Sequence, residues 1–425
     1  MAKSGKRPIE YSILYTATLC MLAIGAVMVY SASSAESLLG AGDPSQYLKR
    51  YVFLGLIGLG VMLVAARHGL ALVRKLTPLL LATSFFLCIA LLLPGVGVTV
   101  NGATSWIGGG PLVFQPSELL KVSLVLYAAQ VLATRPGAVD SFEGLMKPLL
   151  LVVGAAFLLL MLQPDMGTMM VICFAIGALL IIAGTPLRLL GMLGGGVAAA
   201  AFVLAIAEPY RMARLTAFLN PFADAGDSGF QTVQGLTAIG SGGLFGVGLG
   251  ESVQKIFYLP EAHTDMILAI IGEELGLIGV IGVVGLYVLI GFAGFRTAKA
   301  ARDRYSKLLA GGITSLILCQ ATLNLFAVLG LAPLTGVPLP FISYGSTNLI
   351  VLLGGMGLLL NVAATGGLPA RARQPKRPAL PGAHGSDSVR LRAIDGGGAG
   401  EGRDRRRRDS GARRAGAGHR RRTAG

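Results

Sequence analysis

The sequence predicts an all-α, polytopic integral membrane protein of about ten transmembrane helices. Three observations carry that prediction. Hydrophobic residues make up 53% of the 425 positions and charged residues only 13%, about half the charged share of a soluble domain. Mean hydropathy is +0.69. Several apolar runs reach the roughly 20 residues that span a bilayer. They are continuous rather than alternating, so they are helices and not barrel strands.

The expected spans lie near 11–31, 51–67, 76–94, 117–134, 148–163, 167–184, 188–207, 264–295, 308–331 and 343–364. The first follows a basic start at Lys3, Lys6 and Arg7. Its length, and the many spans after it, favour a membrane helix over a cleaved signal peptide. With both ends cytoplasmic, the inner loops hold Arg67, Arg74 and Lys75, then Arg135 and Lys147, Arg188, and Arg296, Lys299, Arg302, Arg304 and Lys307. The opposite loops at 95–116 and 332–342 hold neither Lys nor Arg, and the long loop at 208–263 holds only Arg211, Arg214 and Lys255. This asymmetry obeys the positive-inside rule.

Residues 1–10 are read as a cytoplasmic N-terminus, 11–365 as the membrane domain with a large extracytoplasmic loop at 208–263 between helices 7 and 8, and 366–425 as a disordered basic cytoplasmic tail. From 371 onward the tail carries sixteen Lys/Arg and five Asp/Glu, a net +11 of the chain's +15. Its composition cannot bury a core. Attraction to anionic membrane lipids suits it better than nucleic-acid binding. The cysteines at 20, 88, 173 and 319 sit in apolar runs without metal-ligand spacing, which makes them small core residues.

Charged groups in or beside a membrane core are functional candidates by default, and four blocks on the outer side carry them. The first runs from Asn101 through Trp106 to Pro116-Ser117-Glu118 and Lys121. Trp106 is an interfacial anchor or a stacking surface for a sugar or lipid. Lys121 follows Glu118 by three residues on one helical face, as an ion pair or a phosphate ligand. The second, Gln163-Pro164-Asp165-Met166-Gly167-Thr168, supplies Gln163 as a substrate contact, with Asp165 as a possible helix cap.

The third block begins at Arg211 and Arg214, three apart on one face. A glycine run from Gly240 to Gly250 follows and matches neither phosphate-binding fingerprint, which leaves a tight re-entrant or surface turn. After Lys255 come Glu261, His263 and Asp265. Asp265 is either an N-cap or a general base taking a proton from a hydroxyl. Glu273 and Glu274, further along the same helix, are expected to bind backbone or cations within the bundle rather than react. The fourth block is Asn324 and the proline-rich stretch Pro333 to Gly345, in which Ser343 is a candidate substrate contact.

At these residues the chain resembles the SEDS family, the shape, elongation, division and sporulation proteins typified by FtsW, RodA and SpoVE. The matching stretches are NGATSWI–FQPSELLK, QPDMGT, AIGSGGLFGVGLGESVQK, YLPEAHTDMILAIIGEELGLIG and GLAPLTGVPLPFISYG, in family order over about 10–365. The resemblance implies a SEDS-type fold and a peptidoglycan glycosyltransferase that polymerises lipid II on the outer face of the bacterial cytoplasmic membrane. It implies a class B penicillin-binding protein, the transpeptidase, as partner beside other division proteins. It makes Asp265 the catalytic aspartate and aligns Trp106 and Lys121 with family positions. LPEAHTD with GEELGLIG and the basic tail resemble the division member FtsW more than RodA, which places the protein at the septum.

In that reading Arg211, Arg214, Lys255 and Lys121 neutralise the pyrophosphate leaving group, with room for a divalent cation, Mg or Mn. The chain departs from the family pattern at Thr104 and Ser105, where many relatives have Arg, and at Ser346, where the family has Gly. The competing readings are a lipid II transporter, an elongation polymerase of the RodA kind, and a structural scaffold for division proteins.

Overall fold

The computed structural model describes residues 8–100, 103–109, 112–207, 218–226 and 229–366. Helices α1 (Ile9–Ala41), α2 (Gln46–Arg67) and α3 (Leu70–Ala90) come first. A three-stranded sheet follows: β1 (Gly97–Val100), β2 (Ala103–Gly109) and β3 (Leu112–Phe114). Then come α4 (Pro116–Thr134), α5 (Phe142–Leu162), α6 (Met166–Ala183), α7 (Leu187–Ala207) and the short α8 (Phe230–Gly242). Helices α9 (Ile267–Ala300), α10 (Arg304–Val328) and α11 (Ser346–Gly366) complete the bundle. Among the described residues nine helices are long and apolar enough to cross a membrane. With α7, 21 residues long, every expected span is a helix, in order.

Polarity decides which helices lie inside. The spanning window of α10 is 78% buried against 22% for α3. Helix α10 carries Thr314, Ser315, Gln320 and Asn324, α4 carries Ser117, Glu118, Lys121 and Ser123, and α11 carries Thr347, Asn348 and Asn361, all buried. Lipid offers these groups no hydrogen bond, so they turn toward one another. Helix α3 has few such groups and exposes Leu72, Leu79 and Phe86.

Three features add to the sequence reading. The stretch 95–116, expected as a loop, forms an antiparallel sheet in the order β1-β2-β3, pairing Val98 with Trp106 and Ile107 with Phe114. The helical membrane bundle thus carries one small sheet. Helix α2 begins at Gln46, which places Lys49 and Arg50 in its outer first turns; the charge count by loops omitted both.

The third feature concerns residues 229–263, where the glycine run forms a re-entrant turn, one of the two readings expected of it. Cβ positions built on Gly235, Gly242 and Gly272 meet Met266, Glu273 and Ile239 respectively. Helix α8 thus runs alongside the first two turns of α9 in the same direction, roughly 10 Å below its start. The chain turns at the glycine run and returns to Asp265. Helix α9 breaks beside this turn: Gly276 has φ 67° and ψ −166°, a region closed to side chains. The turn repairs the broken ladder. Val247 and Gly248 N–H donate to the Glu273 and Glu274 carbonyls at 2.9 and 3.1 Å, and Leu277 N–H donates to Gly243 O at 2.9 Å. Such irregular backbone is tolerated at depth because protein satisfies it.

Candidate active site

Asp265 lies in the turn that ends the re-entrant segment, half-exposed, one residue before the N-cap of α9. That cap is Met266, whose side chain makes no capping bond. Its backbone is fixed from below. The buried Asn324 amide donates to Asp265 O at 2.7 Å and to Val337 O at 2.8 Å. One side chain near the end of α10 thereby joins the turn before α9 to the proline-rich loop. That loop is held in turn by Tyr287 Oη to Pro340 O at 2.5 Å and Tyr51 Oη to Phe341 O at 2.6 Å. The residue is half-exposed, and Thr264 Oγ1 lies 3.3 Å from its Oδ1. The same hydroxyl lies 2.8 Å from Glu261 Oε2, so Glu261 and Asp265 flank one donor. Glu261 has φ 56°, an uncommon conformation for a side-chain-bearing residue.

His263 is buried among aromatic rings. Tyr47 lies at 4.3 Å and Tyr344 at 5.7 Å between centroids, and the two tyrosines meet edge to face at 5.1 Å and 82°. Tyr344 N–H donates to His263 O at 3.0 Å. Its Nδ1 is 3.5 Å from Glu36 Oε2, without the alignment of a hydrogen bond. Burial pushes the imidazole below its ordinary range, while Glu36 and Glu261 oppose that shift. This cluster brings together the outer ends of α1 and α2, the turn before α9 and the proline-rich loop.

Several expected contacts have other duties. Lys121 is 1% exposed and donates to Glu118 Oε1 at 2.8 Å and Gln320 Oε1 at 2.9 Å, while Asn348 donates to Glu118 Oε2 at 2.6 Å. It is a structural ion pair across α4, α10 and α11, closed to a phosphate. Lys255 donates to Glu274 Oε1 at 2.8 Å, Ser31 Oγ at 3.1 Å and Gly250 O at 2.7 Å. All three ammonium protons are engaged. Glu273 accepts from Ser252 Oγ at 2.5 Å and Val253 N–H at 3.1 Å, so Glu273 and Glu274 bind backbone and cation within the bundle, as expected.

Ser343 Oγ accepts from Leu339 N–H at 2.8 Å and shapes its own loop. Gln163 is 1% exposed and donates to Cys88 O at 2.6 Å, so it is packed inside. Asp165 caps α6 through Thr168 N–H at 3.0 Å. Trp106 sits half-buried on β2 opposite Val98. Arg211 and Arg214 lie outside the described residues.

Sequence reasoning missed Glu36, Tyr47 and Arg50. Arg50 has no ion pair among the described residues, unlike Lys49, which meets Asp43 at 2.7 Å. The scarcity of outer cations was the signal that should have drawn attention to it. The site as described is rich in carboxylate, with one open cation near its rim.

The chain matches the cell cycle protein family of FtsW, RodA and SpoVE over residues 11–366. It is 46% identical over 354 residues to the probable peptidoglycan glycosyltransferase FtsW of Thioalkalivibrio sulfidiphilus, covering 82% of this chain and 88% of that one. It is 40% identical over 355 residues to stage V sporulation protein E of Bacillus subtilis, covering 83% and 96%. A chain from a solved peptidoglycan synthase complex, described as coordinating polymerization and crosslinking, is similar with a TM-score of 0.69 at 29% identity, covering 84% of this chain and 98% of that one. On sequence and on fold, this chain belongs to the FtsW/RodA/SpoVE family of cell cycle proteins.

Proposed function

We infer that the chain is a peptidoglycan glycosyltransferase that polymerises lipid II during septal wall synthesis, with Asp265 as general base. The names of the curated relatives support the activity. The placement of Asp265 supports the mechanism: its backbone is clamped by a buried amide and the residue remains half-exposed. In the reaction the acceptor sugar hydroxyl attacks the anomeric carbon of the donor. The bond to the polyprenyl pyrophosphate breaks, and the hydroxyl proton passes to the Asp265 carboxylate.

Stabilising the departing pyrophosphate is expected to be the largest contribution, and with Lys121 and Lys255 engaged internally, Arg50, Arg211 and Arg214 take that role. Glu261 and His263 shape the rim, and Trp106 stacks on a sugar or lipid. No cluster of three or more ligating side chains able to hold a metal is present among the described residues. A divalent cation would be held chiefly by pyrophosphate oxygens. Similarity to a chain of a synthase complex supports a crosslinking partner of the class B penicillin-binding kind. The Lys and Arg bias supports cytoplasmic termini and an outer-facing site.

The test is polymerisation of purified lipid II, resolved as glycan ladders, with and without the transpeptidase. Wild type should polymerise, and Asp265→Asn should lose about 10²–10⁴-fold with its unfolding midpoint unchanged. Polymerisation by Asp265→Asn at the wild-type rate removes the general base. Absence of ladders from wild type in every condition, together with lipid II movement across vesicles, replaces the polymerase by a transporter.

A further inference from the structure

The end of the bundle opposite Asp265 holds two adjoining cavities of about 370 and 700 Å³ on the flanks of α3. Pro78 and Gln130 line both. Four cations line them as well: Arg74 and Lys75 in α3, Arg135 at the end of α4, and Lys147 in α5. None of the four makes an ion pair among the described residues. Asp303, the lining carboxylate, is already occupied as the N-cap of α10, accepting from Ser306 N–H at 3.0 Å and Ser306 Oγ at 2.7 Å. Asp140 and Glu143 lie on the connecting segment but line neither cavity.

Two other cations at this end are engaged: Arg304 donates to Leu132 O at 3.1 Å and Ala183 O at 3.3 Å, and Arg296 meets Glu10 at 3.1 Å. The four lining cations converge on one pair of cavities, with Arg74 lying 5.5 Å from the centroid of the Tyr305 ring. Two neutral groups add to their demand. Gln130 Oε1 is buried with no hydrogen-bond donor, and the Tyr305 hydroxyl, directed toward Thr77, makes no hydrogen bond of accepted geometry. An occupant must supply negative charge, an acceptor and a separate donor.

We propose that these cavities bind the headgroup of an anionic glycerophospholipid that also bears a hydroxyl, of the phosphatidylglycerol or cardiolipin type. The phosphodiester meets the cations, as basic pockets between helices at the cytoplasmic side do, and the glycerol hydroxyl donates to Gln130. Lipid rather than soluble anion is favoured because the flanking helices expose Leu79 at 62% and Leu151 at 58%, surfaces on which acyl chains lie. The chain's own tail, at net +11, has the wrong sign.

Full-length protein in detergent would be offered phosphatidylglycerol, phosphatidic acid and phosphatidylethanolamine in competition, and retained lipid read by native mass spectrometry. Wild type should retain phosphatidylglycerol over phosphatidylethanolamine. Arg135→Gln with Lys147→Gln should weaken retention by about fivefold per cation removed, while Lys299→Gln with Lys307→Gln, at the same end but outside the cavities, should leave it unchanged. Gln130→Leu should keep the preference for anionic lipid but lose discrimination between phosphatidylglycerol and phosphatidic acid. Equal losses in both double variants, or no lipid preference in wild type, overturn the site. Displacement of lipid by millimolar inorganic phosphate overturns its assignment to a lipid. Unchanged discrimination in Gln130→Leu overturns the role of the hydroxyl.

Discussion

Asn324→Leu isolates the device that holds Asp265. Leucine keeps the volume and removes the donor, leaving the Asp265 and Val337 carbonyls without the 2.7 and 2.8 Å bonds they now accept. Two buried unsatisfied carbonyls cost about 1–3 kcal/mol each in soluble proteins. Hydrogen bonds between membrane helices average roughly 0.6 kcal/mol. The lower range applies here, because the loops at this end can relax and admit water, so the expected loss is about 1–3 kcal/mol. The catalytic loss should be larger. A misplacement of about 1 Å costs on the order of 10²-fold, and the Asn324 bond ties the turn before α9 to α10. Polymerisation kinetics and thermal unfolding, measured on the same preparation, separate the two effects. The expected outcome is a kcat reduced about 10²-fold with KM little changed. A lowered unfolding midpoint with kcat within threefold of wild type would refute the reasoning and reduce Asn324 to a packing residue.

Removing one member of the Glu118–Lys121 pair, as in Lys121→Met, should destabilise by about 3–5 kcal/mol by stranding a buried carboxylate; adding Glu118→Gln should recover much of that in denaturant unfolding, and no recovery would speak against an ion pair. Gly246→Ala places a Cβ against the Glu274 carbonyl at φ 82°, where the backbone cost alone is about 1–2 kcal/mol; a midpoint equal to wild type would show that the turn does not support α9. His263 has its folded pKa depressed by burial, so the unfolded chain binds more protons as pH falls below about 6.5. Stability should be full above that pH and decline toward pH 5.5. His263→Phe should flatten the profile, and an unchanged slope would show that His263 does not carry it.

The spans were legible because lipid imposes one requirement on every residue of a helix, and that requirement shows as continuous hydropathy. The same logic made Glu273 and Glu274 readable: two carboxylates in an apolar helix need partners, and Ser252, Val253 and Lys255 supply them. What the sequence could not show is which cations were already satisfied. Lys121 bonds Gln320 across 199 positions and Lys255 bonds Ser31 across 224, pairings that leave no local pattern. The re-entrant helix was hidden for a different reason. Thr232, Gln234, Thr237 and Ser241 make α8 look like a polar loop, whereas it is held against α9 by close approach at Gly235 and Gly242. The sheet was missed because its strands are three to seven residues long, too short for alternation to declare itself.

The arrangement around Asp265 separates two requirements that a general base places on a protein. The group must be held still, and its carboxylate must remain free to exchange a proton with a substrate. Here the bundle grips the residue by its backbone. Asn324 grips the Asp265 carbonyl, the turn is pinned through Tyr344 N–H to His263 O, and the proline-rich loop beneath is tied by Tyr51 and Tyr287. The strong buried pairs, Glu118 with Lys121 and Glu274 with Lys255, lie deeper and stabilise the frame. Position is thus set through the backbone, by residues other than Thr264 and Glu261, which stand beside the carboxylate. Asn324→Leu should therefore lower kcat, whereas Glu261→Gln, which leaves the Asn324 tether in place, should keep kcat within a few-fold of wild type; equal losses in both would refute the division.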